Sequence, residues 1–509
     1  MRLNNLFLLL LIVVSTMCCC GKTPENNGND IPEKPTAITA DPSTIDAGQA
    51  GGPFSIKLTS PSRPKVSDVP SWISVKDGTF NSSTYQMTIT MTVAANETFS
   101  ARRAELKVSA KDVADAVITV SQAGKEVVKD PVLPDNTAVA RSMELGLGWN
   151  MGNHFDAYSG GVASETAWGG IPATEATFRG VKAAGFTSVR IPVTWLGHIG
   201  AAPTYTLDQT WLDRVYEVVG FAENAGLKVI VNTHHDEDHG DGHWLNLAGA
   251  VNNENTNVQI KEEIAAVWTQ IAEKFKDKGD FLMLESFNEL IYNKEWQSNS
   301  NTEKKCAVIN EWNQVFVNAV RATGGNNATR WLGVPGYAAS PNYLKYLTVP
   351  SDPAGKTMIS FHCYDPYDYT LGERQLPDWG HTGKSYPRGE EEIKTLFNSI
   401  YTNYIAKDIP IYMGEFGCSF RSKSNTKEWA SFLYYLEYFV KCARVFGIPA
   451  FLWDNGNMGA GQEHHPYLNH GTGQYLDNSK EAIDAMVKAW FSKDPNYTLQ
   501  SVYDSAPQL

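Results

Sequence analysis

The sequence predicts an α/β protein in which a (β/α)8 barrel, the TIM-barrel fold, follows a small all-β sandwich domain, and three observations predict this architecture. After Asn136, eight apolar runs alternate with amphipathic segments, as parallel strands alternate with helices. Glycine precedes several of these runs, at points where a helix would end. Before Asn136, residues 36–124 carry short alternating runs rich in Ser, Thr, Val and Ile, which is typical of antiparallel strands.

The first residues predict a secretory leader. Arg2 precedes an apolar run from Leu6 to Val14, and this run is too short to cross a bilayer as a helix. We therefore interpret residues 1–20 as a lipoprotein signal peptide, and a permanent transmembrane anchor is the less favoured alternative.

Three consecutive cysteines, Cys18, Cys19 and Cys20, close this leader. A cysteine directly after the apolar run resembles the cleavage site of bacterial lipoproteins, in which the thiol is acylated and becomes the new N-terminus. The resemblance implies lipidation of Cys19 or Cys20 and attachment to a membrane through that lipid. We expect the protein to lie at the cell surface or in the periplasm, anchored by its lipid in the outer membrane. The polar residues 21–35 are then a flexible tether.

Charge and composition exclude some classes of partner. The net charge of -13 argues against nucleic acid, because a surface that binds nucleic acid uses Lys and Arg to neutralise phosphates. An uncharged substrate fits better, and the 14 tryptophans suit a protein that stacks rings on sugars. Cys306, Cys363, Cys418 and Cys442 are spread without a short repeated spacing, so no disulfide framework or zinc ribbon is predicted. We expect a monomer that needs no cofactor.

Residues 36–124 predict an antiparallel sandwich, because runs such as TYQMTITMTV and DAVITVSQAG alternate polar and apolar residues. The run SWISV around Trp72, followed by AANETFSARRAELKVSA and ITVSQAG, resembles the BACON domain of Gram-negative carbohydrate-degrading lipoproteins. The resemblance implies a spacer or accessory domain; a spacer is favoured, and a sugar-binding module stays open. Residues 125–135, with two prolines and mixed charge, are the predicted linker.

Residues 136–509 contain the strands and helices of the predicted barrel. The strand-like runs are GLGWNMG, SVRIPV, LKVIVN, FLMLESF, RWLGVPG, MISFHCY, PIYMGEF and PAFLWDN. Two apolar stripes at helical spacing are Trp211, Leu212, Val215, Val218, Val219 and Ala222, then Ile260, Ile264, Val267, Trp268, Ile271 and Phe275. Gly185, Gly226 and Gly447 stand just before strands, where a left-handed helix cap requires the absence of Cβ.

Polar residues interrupt these runs near their C-terminal ends, which is where such barrels form their sites. They are Arg190, His234, His235, Asn288, Glu289, His362, Tyr364, Glu415 and Trp453. Glycosidic cleavage requires two carboxylates, one to protonate the leaving oxygen and one to attack or to activate water. Burial near Phe287 and Phe416 would raise a carboxyl pKa. The alternative, that either glutamate only forms an ion pair with Arg190, is not favoured for the paired ESFNE and MGEFG placements.

With these motifs the chain resembles glycoside hydrolase family 5 over nearly the whole predicted barrel. The resemblance implies that Glu289 of ESFNE is the acid/base and that Glu415 of MGEFG is the nucleophile. WNMGNHFDA and VNTHHD look like the endoglucanase and xyloglucanase subfamily. One departure is AWGGIP around Trp168, where a WGNP-like run is expected, and another is Cys363 between His362 and Tyr364.

The resemblance also implies supporting roles. Asn288 is placed to hydrogen-bond the sugar 2-hydroxyl. Arg190 and Tyr364 can hold Glu415 ionised through charge and hydrogen bonding. His234 and His362 can orient the sugar or the carboxylates, with His235 beside them, and Trp453 offers a ring for stacking.

These inferences predict a retaining endo-β-1,4-glucanase that acts on xyloglucan, mixed-linkage β-glucan or soluble cellulose through a glycosyl-enzyme intermediate. The resemblance implies carboxylates about 5 to 5.5 Å apart, the separation of retaining enzymes. A β-mannanase on the same barrel and a catalytically inactive polysaccharide-binding protein remain the alternatives.

Two further motifs are set aside. THHDEDHGDGHW holds His234, His235, His239 and His243 but lacks the H-E-x-x-H arrangement, so we predict no catalytic metal. GHTGKS resembles a phosphate loop, but Asp378 stands where that loop needs glycine.

Overall fold

The computed structural model of the protein describes residues 32–98, 100–125, 128–238, 241–372, 375–458 and 462–509. The predicted signal peptide, the predicted lipidation at Cys19 or Cys20 and most of the predicted tether lie outside the described residues. The chain divides into two compact units, Met1–Glu126 and Val127–Leu509. In the described part of the chain, no helix has the length and apolarity that a membrane span requires.

The first unit is an all-β sandwich, as the sequence predicts. Its strands are β1 Thr39–Asp41, β2 Thr44–Ala47, β3 Gly52–Thr59, β4 Lys65–Ser67, β5 Ile73–Asp77, β6 Gln86–Val93, β7 Arg102–Ser109 and β8 Ala116–Gln122. They form two four-stranded sheets, with the orders β1-β3-β6-β5 and β2-β8-β7-β4. In β6 every second residue is buried, which places Met87, Ile89, Met91 and Val93 in the core of this unit.

The second unit is a closed parallel barrel, and all eight predicted strands are confirmed. The strands of this unit are β9 Leu147–Met151, β10 Tyr158–Ser159, β11 Val162–Ala163, β12 Ser188–Ile191, β13 Lys228–Val231, β14 Leu282–Glu285, β15 Leu332–Pro335, β16 Thr357–Cys363, β17 Ile411–Phe416 and β18 Ala450–Asp454. Strands β10 and β11 form a small hairpin, and the barrel has the order β12-β13-β14-β15-β16-β17-β18-β9.

Helices surround the barrel and bury the predicted stripes. They are α1 Thr137–Leu145, α2 Glu175–Ala183, α3 Gln209–Asn224, α4 Leu247–Asn252, α5 Glu254–Lys274, α6 Thr302–Ala322, α7 Tyr367–Thr370, α8 Gly389–Asn403, α9 Thr426–Val445, α10 Ser479–Phe491 and α11 Leu499–Asp504. Short 3-10 helices lie at Gly325–Ala328, Tyr337–Ala339, Pro341–Tyr346 and Ile405–Lys407. Gly185, Gly226 and Gly447 have φ values of 105°, 70° and 73°, so the predicted left-handed positions are confirmed.

The barrel interior changes from apolar to polar along its axis. An apolar layer closes the lumen and consists of Leu145, Ile230, Met283, Met358, Tyr412 and Phe451. Side chains two residues apart share one face of a strand, so the next inward positions toward the C-terminal ends are polar or aromatic. These positions are Asn150, Asn232, Glu285, Ser360 and Trp453. The sequence thus places a polar layer directly above an apolar floor.

A β-bulge in β17 brings Glu415 into this layer. The pairing of β17 with β18 shifts register between Met413 and Phe416. Glu415 therefore lies inward although it is three residues beyond the inward-facing Tyr412, while Phe416 packs on Phe439 of α9 with ring centroids 5.2 Å apart. Bulges beside active sites commonly re-aim a side chain in this way.

Candidate active site

Arg190 is the centre of the polar layer and is fully buried. Its Nε donates to Glu285 Oε2 at 2.7 Å, and its Nη1 donates to Glu415 Oε1 at 2.8 Å and to Asn150 Oδ1 at 3.1 Å. Its Nη2 donates to Asn288 Oδ1 at 3.0 Å. Burial opposes the charge of the guanidinium, but Glu285 and Glu415 raise the pKa of Arg190. Arg190 therefore holds residues of β9, β14 and β17 in place, together with Asn288 just beyond the end of β14.

Glu415 has a hydrogen-bond donor on each carboxylate oxygen, and its side chain is 7% exposed. Arg190 bonds Oε1, and the Tyr364 hydroxyl donates to Oε2 at 2.9 Å. Burial raises the pKa of Glu415, while His362, Arg190 and Tyr364 oppose that rise. The predicted contacts of Arg190 and Tyr364 with this carboxylate are therefore present, and they favour its charged form.

Glu289 lies beyond the end of β14 and is more open, with its side chain 19% exposed. Its Oε1 lies 2.6 Å from Nδ1 of His362, which is within hydrogen-bond distance. Burial, with a contribution from Glu237, raises the pKa of Glu289 to about 8. Burial also lowers the pKa of His362 to about 4. At neutral pH the pair therefore holds a neutral acid beside a neutral imidazole.

The two glutamates face each other closely. A carboxylate oxygen of Glu289, a carboxylate oxygen of Glu415 and a ring nitrogen of His362 all lie within 4.8 Å of one another. His362 Nδ1 is 3.7 Å from Glu415 Oε2, so the imidazole lies beside both carboxylates. The closest oxygens of the two carboxylates thus approach to 4.8 Å or less. This approach favours the roughly 5 to 5.5 Å separation of retaining enzymes over the roughly 6.5 to 9.5 Å that leaves room for a water molecule between acid and base.

Phe287 and Phe416, which the sequence predicts beside the carboxylates, pack away from the mouth. Phe287 packs on Trp312 with ring centroids 6.1 Å apart, and Phe416 packs on Phe439, so both phenylalanines face the helices. Cys363 also faces away from the site: it is buried, and its Sγ lies 3.8 Å from Asp365 Oδ2. The departure at Cys363 therefore does not alter the mouth.

His234 and Trp453 form one wall of the mouth. Their rings stack with centroids 5.8 Å apart and planes inclined by 7°. Asn232 Nδ2 lies 3.2 Å from His234 Nδ1, which leaves His234 Nε2 facing Glu415 Oε1 at 4.0 Å. A Cβ atom on Gly152 would lie 2.6 Å from the Trp453 indole, so glycine is needed there for the ring to take its place.

His235 has different surroundings from His234. Its ring nitrogens lie 3.7 Å from Asp156 Oδ2 and 3.7 Å from Glu237 Oε1. Burial opposes its charge, but these carboxylates raise the pKa of His235 to about 9. Its ring lies 5.6 Å from that of Trp168, which is 45% exposed at the edge of the mouth. The AWGGIP loop, where the sequence differs from the WGNP-like run of the family, thus places the Trp168 indole beside the predicted site residue His235.

The THHDEDHGDGHW and GHTGKS motifs, which predict neither a metal site nor a phosphate loop, lie in loops whose polar groups contact one another. His239 is outside the described residues, and His243 lies 5.3 Å from the ring of Tyr158, with Nδ1 3.1 Å from the Glu237 carbonyl oxygen. Asp156, His234 and His235 bring potential ligand atoms within 4.8 Å of one another, but carboxylate–imidazole pairing already accounts for this cluster. In the GHTGKS loop, Asp378 Oδ1 accepts from the Lys384 and Ser385 amides at 2.7 Å each. These amides are therefore occupied by the loop's own carboxylate.

Sequence reasoning missed several polar residues of the site, among them Asn150, Asp156 and Glu285. Glu285 stands inside ESFNE, where the sequence pattern predicts only a strand residue. A buried arginine needs counter-charge, so the presence of Arg190 in a barrel strand was the available signal for a second carboxylate.

Comparison with known proteins agrees with this geometry. The model of the cellulase family, glycosyl hydrolase family 5, matches residues 152–459, and the BACON domain matches residues 65–123. A Bacteroidetes-affiliated family 5 cellulase linked with a polysaccharide utilization locus is 44% identical, with a TM-score of 0.71 over 74% of this chain and 98% of that chain. A broad-specificity family 5 endoglucanase from Bacteroides salanitronis is also 44% identical, with a TM-score of 0.67 over 72% of this chain and 99% of that chain.

A xyloglucan-specific endo-β-1,4-glucanase of Bacteroides ovatus is 34% identical over 72% of this chain and 76% of its own length. The family model covers more than half of the 509 residues, and it spans the strand ends that carry both glutamates. With the closed barrel and the paired carboxylates in its mouth, the chain belongs to glycosyl hydrolase family 5 and is a glycoside hydrolase.

Proposed function

We propose that this enzyme cleaves β-1,4-linked glucan within the chain and retains the anomeric configuration. Xyloglucan, mixed-linkage β-glucan and soluble cellulose are the proposed substrates. The observation that carries the proposal is the pair Glu289 and Glu415, with oxygens within 4.8 Å of each other and with unlike surroundings. The names of the relatives, a cellulase, a broad-specificity endoglucanase and a xyloglucan-specific endoglucanase, support the substrate class.

In the first step Glu415 attacks the anomeric carbon and forms an ester, while the bond from that carbon to the leaving oxygen breaks. The electron pair of the broken bond stays on the leaving oxygen, which takes the proton of Glu289. Glu289 suits this role because burial keeps it protonated at neutral pH, with its pKa raised to about 8. Arg190 and Tyr364 hold Glu415 in place for the attack.

In the second step Glu289, now ionised, takes a proton from water, and the water oxygen attacks the anomeric carbon. The ester bond breaks, and Glu415 regains its negative charge. Two displacements on one carbon return the original configuration. The short gap between the carboxylates favours this route, because inversion needs space for a water molecule between them.

Neighbouring side chains orient the sugar. Asn288 accepts from Arg190 through Oδ1 at 3.0 Å, which turns its Nδ2 away from the guanidinium and makes it available to the sugar 2-hydroxyl. His234 faces Glu415 with Nε2, and Trp453 is held flat against His234 for stacking.

A substrate panel with product analysis tests the proposal. Purified enzyme should lower the viscosity of xyloglucan, lichenan or soluble cellulose early in the reaction, and NMR should show the β anomer as the first product. Release of terminal monosaccharide alone would contradict internal cleavage, and the α anomer first would contradict retention. Preference for mannan would favour the β-mannanase alternative, and binding without hydrolysis would favour the inactive one.

We also propose that the mature enzyme is a monomer held at the outer membrane by a lipid on Cys19 or Cys20. The leader pattern of residues 1–20 supports the lipid. Labelling of cells with a radioactive fatty acid should mark the wild-type protein, and the label should be lost in Cys19→Ala or in Cys20→Ala. Light scattering of protein expressed without residues 1–20 should give the mass of one chain.

The sandwich is proposed as a spacer. One face of the Trp72 ring is covered by the Arg102 guanidinium, whose Cζ lies 4.4 Å from the ring centroid. Arg102 is itself fixed, since its Nε donates to Gln122 Oε1 at 2.8 Å. In the described part of this unit the exposed large apolar residues are Val69 and Val117, which offer no ring to a sugar.

A further inference from the structure

Glu285 is a buried carboxylate that the two-step chemistry does not use. It lies four residues before Glu289, at the last position of β14, and is fully buried. Its Oε2 accepts from Arg190 Nε at 2.7 Å. Its Oε1 accepts from the Ser360 hydroxyl at 2.6 Å and from the Tyr412 hydroxyl at 2.7 Å. A carboxylate without such partners would be costly at this depth.

Arg190 divides its donors between Glu285 and Glu415. The guanidinium is thus shared by two carboxylates, of which one reacts and the other does not. Other charged or titratable groups face this trio from β13, β14, β16 and β17 or from the residues that follow these strands. They are His234, His235, Glu289, His362, Tyr364 and Tyr412.

The charge of Glu415 changes during the proposed cycle, because the glycosyl-enzyme is a neutral ester of this residue. If Glu415 were the sole counter-ion of Arg190, each turnover would leave a buried guanidinium unpaired. Removing one partner of a buried ion pair is strongly unfavourable. Glu285 keeps its position and its charge, so Arg190 retains a counter-ion through both steps.

We infer that Glu285 is a positioning residue that acts through Arg190, as the permanent counter-ion of the guanidinium. It leaves Glu415 with only a share of the arginine charge, so that Glu415 stays nucleophilic, and it stabilises Arg190 while Glu415 is an ester. The inference rests on the proposed role of Glu415. The electrostatics agree: burial opposes ionisation of Glu285, but Arg190 lowers its pKa, whereas the pKa of Glu415 is raised.

Glu285→Gln removes the charge and keeps the shape. Arg190 then pairs with Glu415 alone, which lowers the pKa of Glu415. The acidic limb of the kcat/KM profile should therefore move to lower pH by about one unit, the smaller end of the range that a neighbouring opposite charge produces. The first step should slow. The burst of dinitrophenol from 2,4-dinitrophenyl β-cellobioside, present in the wild type when the second step limits the rate, should shrink or vanish.

Glu390→Gln is the matched control. Glu390 is another buried carboxylate, on α8, which accepts from the Tyr434 hydroxyl at 3.0 Å and from the His381 amide at 2.9 Å. This variant should have a lower melting temperature with an unchanged acidic limb and burst. A Glu285→Gln enzyme that behaves in the same way would overturn the inference.

A trapped wild-type enzyme gives a second test that needs no variant to fold. In a crystal of the enzyme esterified with a 2-deoxy-2-fluoro-cellobiosyl group, Arg190 Nε should still donate to Glu285. A guanidinium that has turned away from Glu285 would contradict the inference. Mass spectrometry separates the two proposals: a label on a residue other than Glu415 removes the proposed function, whereas a label on Glu415 with an unshifted Glu285→Gln profile removes this inference alone.

Discussion

The two sides of the barrel mouth hold the same type of side chain in different ways. On one side Glu415 accepts from Arg190 at 2.8 Å and from Tyr364 at 2.9 Å, and it is 7% exposed. On the other side Glu289 faces the neutral His362 at 2.6 Å and is 19% exposed. Burial raises the pKa of both, but the guanidinium bonds Glu415 directly. The difference supports the roles proposed for the two glutamates, because the surroundings of a carboxyl group, and not its residue type, set which one acts as nucleophile and which one as acid.

The largest expected effect comes from removing each glutamate in turn. Glu415→Ala should abolish turnover on every substrate, because no group remains to form the ester. Glu289→Ala should lower activity on polysaccharide by about 10²- to 10⁴-fold, the usual contribution of a general acid, but should spare the first step with 2,4-dinitrophenyl β-cellobioside, whose leaving group needs no proton. Steady-state and burst kinetics on both substrates measure the contrast.

Azide gives the control for this comparison. It should restore turnover of the dinitrophenyl glycoside by Glu289→Ala and yield the β-glycosyl azide, because a small anion needs no general base. The same product from Glu415→Ala, or equal losses in both variants on the activated substrate, would reverse or erase the assigned roles.

The pH dependence of kcat/KM should reflect the ionisation of both glutamates. The proposed mechanism needs Glu415 ionised and Glu289 protonated. We therefore expect kcat/KM to fall as the pH drops through the pKa of Glu415 and to fall again as the pH rises through about 8, the pKa of Glu289. With the dinitrophenyl glycoside, Glu289→Ala should lose the alkaline limb of the first step and keep the acidic limb. An alkaline limb that persists in this variant would belong to another group.

A smaller effect is expected at the edge of the mouth, where Trp168 lies beside His235. Trp168→Ala should reduce kcat/KM on polysaccharide by about 2- to 12-fold, the range that corresponds to one ring-stacking contact, while the dinitrophenyl glycoside should be affected less. Phe491→Ala is the matched control. Phe491 is 39% exposed at the C-terminal end of α10, which is the barrel end opposite the mouth. Equal losses in both variants would argue against contact of Trp168 with the polymer.

The sequence was sufficient for the barrel because parallel strands are buried on both faces and read as continuous apolar runs. It was also sufficient to place Glu289 and Glu415 together at the barrel mouth, since each follows or interrupts such a run at its C-terminal end. Glu285 was missed for the converse reason: within FLMLESF it has the place of a strand residue, and its inward direction matters only once closure of the barrel brings Arg190 beside it.

The loops and the bulge account for the other gaps. Asp156 reaches His235 from the loop after β9, and no periodicity in the sequence fixes the course of such a loop. The inward position of Glu415 depends on the register shift in β17, because strict alternation from the inward-facing Tyr412 would direct Glu415 outward. Phe287 and Phe416 were expected beside the carboxylates, but Phe287 lies beyond the end of β14 and packs on Trp312. Phe416 follows the inward-facing Glu415 directly and therefore packs on Phe439 outside the barrel.

The smallest effect is expected from removal of the β-sandwich, which contributes no residue to the two sides of the mouth compared above. Deletion of residues 36–124 should change kcat/KM on a soluble oligosaccharide by less than about twofold, because the barrel has its own core and each residue assigned to the mouth belongs to Val127–Leu509. One face of Trp72, the tryptophan of this unit, is covered by Arg102, so we expect no loss of sugar contact either. Activity of the truncated and full-length enzymes on cellohexaose and on insoluble glucan measures both effects. A large fall in kcat on the soluble substrate would mean that the sandwich completes the active site, whereas a fall confined to insoluble glucan would favour a binding module over a spacer.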